Sequence, residues 1–130
     1  MSRTILVPSV QLKLEGDQLA YGNVTDLSDQ PANTTGIAVP YINITISNSI
    51  NSLQNVTITR LTIDVGNKTY EIDNTLTYPK LSTSGYVLHN GETITIICIW
   101  DYTQIGSNPV TITVYTAEGI QTSRTWEPAT

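Results

Sequence analysis

The chain has one cysteine, one histidine, one methionine and no phenylalanine in 130 residues. A single cysteine, Cys98, allows no disulfide within the chain. It sits in Thr95-Ile96-Ile97-Cys98-Ile99-Trp100, a run that reads as core. No cation lies nearby in sequence to activate the thiol, so it is expected to be a small buried hydrophobe. The lone histidine, His89, has no second histidine or free cysteine to complete a zinc site. Any serine–histidine–aspartate arrangement would have to use it, and no G-x-S-x-G elbow is present. No apolar run approaches the roughly 18 residues of a membrane-spanning helix, and no signal peptide is visible. Charged residues are only 13% of the chain, about half the usual share of roughly 25%. Six Lys and Arg face eleven Asp and Glu, for a net charge of −5. The basic residues Arg3, Lys13, Arg60, Lys68, Lys80 and Arg124 are scattered singly. Nucleic-acid binding needs a basic stripe, so it is excluded, and an anionic membrane surface is disfavoured for the same reason, leaving a membrane only through an anchor missing from this chain.

What is abundant is β-branched. Thr, Ile and Val number 21, 16 and 9, and such residues pack well on a pleated surface and are stiff in helices. Polar positions are mostly hydroxyls and amides, which do not titrate in acid. Few ion pairs are available to be lost there, which suits an acidic exterior.

The strands are bounded by turn signals. Val10, Leu12 and Leu14 alternate along a first strand at 4–14, placed at an edge by Pro8. Residues 15–36 read as a long loop, with a short strand near Gln18–Tyr21. Ile42, Ile44 and Ile46 mark a strand over 37–47, followed by a turn from Asn48 to Asn51. In 54–65 the apolar parity slips, from Val56 and Ile58 to Leu61, Ile63 and Val65. That slip predicts a β-bulge or a change of sheet. Gly66-Asn67 predicts a hairpin into 68–72. Further strands follow near 81–88, at 92–102, at 110–117 and at 120–126. In 92–102, Ile94, Ile96, Cys98 and Trp100 share one face and Ile97 and Ile99 the other. The expectation is an all-β, single-domain chain. It is a two-sheet, immunoglobulin-like antiparallel sandwich of about seven to eight strands.

Chemistry-bearing residues are sparse. Acid pairs Asp26 with Asp29, or Asp64 with Asp73, are the glycosidase candidates; a solvated carboxylate is the ordinary role for each. Asp26-Leu27-Ser28-Asp29 lacks the dense oxygen spacing of a calcium loop. No catalytic residue, cofactor or metal site is expected. Asn-X-Thr recurs at Asn23, Asn33, Asn43, Asn55 and Asn67. Asn23, Asn33, Asn55 and Asn67 are the candidate N-glycosylation sites of a surface protein, and Asn43, within a strand, is the poorest acceptor. A Thr-rich strand composition generates such triplets too. The Ile97/Ile99 face, or the run holding Ile50 and Leu53, is the candidate interface with a second copy or partner. Edges at 4–14 and 120–126 invite strand addition.

Four segments carry a resemblance: Ile42-Asn43-Ile44-Thr45-Ile46-Ser47-Asn48-Ser49; Asn55 through Tyr70; Leu88-His89-Asn90-Gly91-Glu92-Thr93-Ile94-Thr95-Ile96; and Asn108 through Gly119. Over about residues 37–126 the chain resembles the outer β-sandwich domains of archaeal type IV pilin-like proteins. These include archaellins, pilins and the archaellum accessory proteins FlaF and FlaG. The resemblance implies an N-terminal hydrophobic helix in the membrane, which this sequence lacks. The expectation is therefore the extracytoplasmic part of a longer, N-terminally anchored protein of the archaeal cell envelope. It also implies a non-enzymatic stator module. Such a module binds the surface-layer (S-layer) protein, contacts other archaellum components and self-associates as a homodimer or higher form. The alternative is a structural subunit of an archaeal filament or virus.

Overall fold

The computed structural model describes residues 12–24, 39–50, 54–78, 81 and 85–127. Its strands are β1 (Leu12–Val24), β2 (Val39–Asn48), β3 (Val56–Val65), β4 (Lys68–Glu71), β5 (Thr77–Tyr78), β6 (Tyr86–Leu88), β7 (Thr93–Ile99), β8 (Val110–Thr116) and β9 (Gln121–Trp126). Every pairing is antiparallel. One sheet has the order β1-β2-β7-β5; the other runs β4-β3-β8-β9, with β6 also on β3. In immunoglobulin lettering these are A-B-E-D against C′-C-F-G. The sandwich expectation holds, with nine strands among the described residues in place of seven or eight.

Alternation builds the core. Ile42, Ile44 and Ile46 of β2 are each at most 1% exposed, and in register they face Cys98, Ile96 and Ile94 of β7. From the opposite sheet, Ile63 pairs with Ile112 and Leu61 with Val114, all fully buried. The parity slip in β3 is a bulge: Ile58 pairs with Thr116 but Arg60 with Tyr115. The extra residue lets Ile58 and Leu61 both point inward.

Two expectations need correction. The loop expected over 15–36 is strand as far as Val24, and the short strand expected near Gln18–Tyr21 is part of β1, which shifts register between Glu15 and Ala20 and then pairs Tyr21 with Ile42 and Gly22 with Tyr41. The polar bulge, where Gly16 takes φ +103°, hides the alternation. The two-residue β5, pairing Thr77 with Cys98, is too short to leave a periodic trace. The part of the first strand expected at 4–11 lies outside the described residues.

Gly85 enters β6 at φ +75°, and a Cβ there would lie 2.6 Å from the Ile58 carbonyl oxygen. Gly85→Ala should therefore destabilise the fold by roughly 1–3 kcal/mol or more, the usual cost of a strained backbone residue. Urea denaturation checks this; an unchanged midpoint would mean that β6 does not pack on β3 as described.

One side of the sandwich is closed by side chains instead of a ladder. The Arg124 guanidinium in β9 donates to the Leu14 carbonyl of β1 at 3.0 Å, and the Trp126 indole N–H donates to the Gly16 carbonyl at 3.0 Å. Arg124 also lies 5.2 Å from the Trp126 ring centre, a cation–π contact. The two contacts advance together along both strands, so β1 and β9 run in the same direction across this seam.

Candidate functional site

The chemically capable side chains are dispersed. Burial pushes the Cys98 thiol well above its ordinary range, so it is no nucleophile at neutral pH. Among the described residues no three of His, Cys, Asp and Glu gather as a metal-binding group. Asp64 accepts the Thr69 hydroxyl on the outer face of β3, whereas Asp73 lies in the turn after Ile72. The pair Asp26 and Asp29, and with it the calcium candidate, lies outside the described residues. Among those residues no helix is long and apolar enough to cross a membrane.

His89 and Glu92 bracket the Asn90-Gly91 turn. The Glu92 carboxylate accepts the His89 backbone N–H at 2.9 Å and lies 3.3 Å from Nδ1 of the ring. The backbone hydrogen bond from His89, then the side-chain one, holds the Glu92 carboxyl below its usual 4.5. A depressed folded-state pKa gives stability that is present above the unfolded value and lost as pH falls through the folded one. The turn should thus weaken below pH 4.5. Glu92→Gln should melt with a smaller drop than the parent between pH 6 and about pH 3. Equal drops in both proteins would show that this cap is not the acid-sensitive contact.

The candidate interface residues fall at separate ends. Ile50 is 77% exposed, beside Gly91 in the turn before β7. Ile97 and Ile99 are half-buried on the outer face of the first sheet, opposite Asn43 and Tyr41. They are several residues farther along β7, so the two groups do not form one patch. Leu53 lies outside the described residues. A different apolar residue, Val87, is 46% exposed on β6. The outer face of the second sheet is polar: Thr69, Asp64, Thr111 and Thr125 align across four strands. There the Thr111 and Thr125 hydroxyls share a 2.7 Å hydrogen bond. Nearby, Arg60 donates to Glu71 at 2.9 Å and lies over the Tyr115 ring.

Two glycosylation candidates are exposed, Asn55 before β3 and Asn67 in the β3–β4 hairpin. Asn55 Oδ1 accepts the Asn90 N–H at 3.2 Å, which leaves Nδ2, the atom a glycan joins, outside that bond. Asn43 is half-buried in β2, with Oδ1 buried and unpartnered among the described residues. The backbone of Asn23 pairs with Pro40, and Asn33 lies outside the described residues.

The feature that sequence reasoning missed is the β1–β9 seam. A cleft of about 310 Å³ runs along it, lined by Leu12–Gly16 and Thr122–Arg124. Local sequence gave no signal, because the contacts join residues 110 positions apart.

No protein-family model matches the chain, and no curated protein matches it either. Among solved structures, it is similar to a chain of the archaeal flagellum of Methanospirillum hungatei strain JF1. The TM-score is 0.57 at 7% identity, over 94% of this chain and 67% of that chain. At that identity the likeness is one of fold.

Proposed function

We propose that the chain is a non-enzymatic, extracytoplasmic module of an archaeal archaellum, a stator-like accessory part that grips the cell-surface layer and self-associates. The observation that carries this reading is the sandwich shared with a flagellar chain over 94% of the present one. Two features support it. The exposed faces are rich in hydroxyls and amides and hold few charges, as suits contact with a protein lattice in an acidic exterior. The titratable groups are dispersed, which favours binding over catalysis. A filament subunit is the second reading, favoured by the same flagellar likeness and by the edges of β1 and β9, which carry no further strand among the described residues.

Co-sedimentation of the purified chain with isolated surface-layer sheets at acidic pH separates the two, with a no-sheet run alongside. Pelleting only with sheets is the expected result. Pelleting alone would replace the stator reading with the filament subunit. Remaining in solution in both runs would overturn both.

A further inference from the structure

We propose that Asn90 is a site of self-modification, held in check by the backbone of Asn48. The Asn90-Gly91 pair converts to aspartate and isoaspartate when the turn before β7 opens, and the isoaspartate form cannot close that turn again. The proposal goes beyond the flagellar reading and does not depend on it. Asn90 is the one asparagine in the chain that precedes a glycine; Ile, Val, Thr, Ser, Lys or Pro follows the others. In the reaction the backbone nitrogen of the following residue gives its proton to hydroxide and attacks the asparagine Cγ. A C–N bond forms, the Cγ–Nδ2 bond breaks, and Nδ2 leaves as ammonia with a proton from water. Water then opens the resulting succinimide at either carbonyl. One opening yields aspartate; the other yields isoaspartate, in which the main chain runs through the former side chain. Glycine favours the attack because it has no Cβ to crowd the nitrogen.

The fold exposes the group to be attacked and restrains the attacker. Asn90 and Gly91 are both exposed. Among the described residues the bonded group of Asn90 is its backbone N–H, which donates to Asn55 Oδ1 at 3.2 Å and leaves the side-chain amide to react. Gly91 holds φ +81°, and the Glu92 N–H donates to the His89 carbonyl at 3.0 Å, as in a type II turn with glycine third. The attacking nitrogen is engaged: the Gly91 N–H donates to the Asn48 carbonyl at 2.6 Å. Giving up that proton, or turning the nitrogen toward Cγ, breaks this bond. Asn48 cannot follow the turn outward, because it is 1% exposed and its Nδ2 holds the carbonyls of Gln54 and Leu88. Conversion therefore passes through a locally opened turn, and its rate tracks how often that turn opens. Isoaspartate then places an extra methylene in the main chain just before Gly91. The Gly91 and Glu92 N–H groups can no longer reach the Asn48 and His89 carbonyls together.

The test incubates the full chain in mildly alkaline buffer, with and without denaturing urea, and follows conversion by peptide mass mapping and isoaspartate assay. In urea the peptide holding Asn90 should convert first, and Asn90→Gln should abolish that product. In the folded chain the same conversion should be at least about tenfold slower, the factor that an opening free energy of about 1.4 kcal/mol imposes. The converted chain, separated by anion exchange, should unfold at lower urea than Asn90→Asp, which carries the added charge on an ordinary backbone. The proposal is overturned if folded and unfolded chains convert at equal rates, or if another asparagine converts first in urea. It is also overturned if the converted chain and Asn90→Asp share one midpoint. No surface-layer sheets are present, so failure here leaves the sheet-binding reading standing, and failure there leaves this one.

Discussion

Ile112→Lys should unfold the domain. Ile112 is fully buried in β8, between Ile63 of β3 and Arg124 of β9. The new amine has no acidic partner at that position, and its nearest cross-strand neighbour with a charge is itself a cation. A buried lysine escapes the full cost of its charge by giving up the proton, with shifts of up to about 3–5 pKa units. At 1.36 kcal/mol per unit that is still about 4–7 kcal/mol. Lost packing of the isoleucine adds about 2–5 kcal/mol. The sum matches the entire 5–15 kcal/mol that holds a typical domain together. Ile112→Val, which keeps the apolar character, should cost only about 0.5–1.5 kcal/mol. Circular dichroism on both variants decides the matter. A lysine variant that melts like the parent would mean that β8 does not face the core as described.

Asn48→Ala should be the most damaging polar-to-apolar change. Asn48 ends β2 and is 1% exposed. Its Nδ2 donates to the carbonyls of Gln54 and Leu88, each at 3.2 Å. Its backbone N–H donates to the Glu92 carbonyl at 2.9 Å, and its own carbonyl accepts the Gly91 N–H at 2.6 Å. The side chain thereby ties β2 to the chain leading into β3 and to the end of β6, while the backbone of the same residue holds the turn before β7. Alanine leaves two carbonyls short of a donor, at about 1–3 kcal/mol for each that stays buried. The expected loss is about 2–5 kcal/mol, read from urea denaturation. Because Oδ1 has no partner among the described residues, the whole loss comes from the donor side. A change of under about 0.5 kcal/mol, the range of an ordinary surface substitution, would show that water replaces Nδ2 there.

These two residues show where the sequence was legible. Ile112 announced its burial through strict alternation with Thr111 and Thr113, as did Ile42, Ile44 and Ile46. The bulge at Thr59-Arg60 showed as a slip in parity, and the hairpin at Gly66-Asn67 as turn chemistry. Asn48 was different. Sequence placed it at the start of a turn, because asparagine before Ser49 ordinarily marks one. Its burial depends on the remote carbonyl of Leu88, which no local pattern reports. The second half of β1 was obscured in a similar way. Its partner strand dictates its pairing, while Glu15 and Gly16 look like loop. The interface candidates were half legible: the parity of Ile97 and Ile99 placed them correctly on the face opposite the core. Their separation from Ile50 depends on how far apart β7 holds the two ends.

The side-chain latch between β9 and β1 also bears on how the chain is made. Gly16 and Trp126 lie 110 residues apart, so the latch cannot form until β9 has been synthesised, long after β1. Contacts of such long sequence separation impose a loop-closure cost before they return any stabilisation, and they slow folding. The β3–β4 hairpin can form well before that, but β1 must wait for β9 before this seam closes.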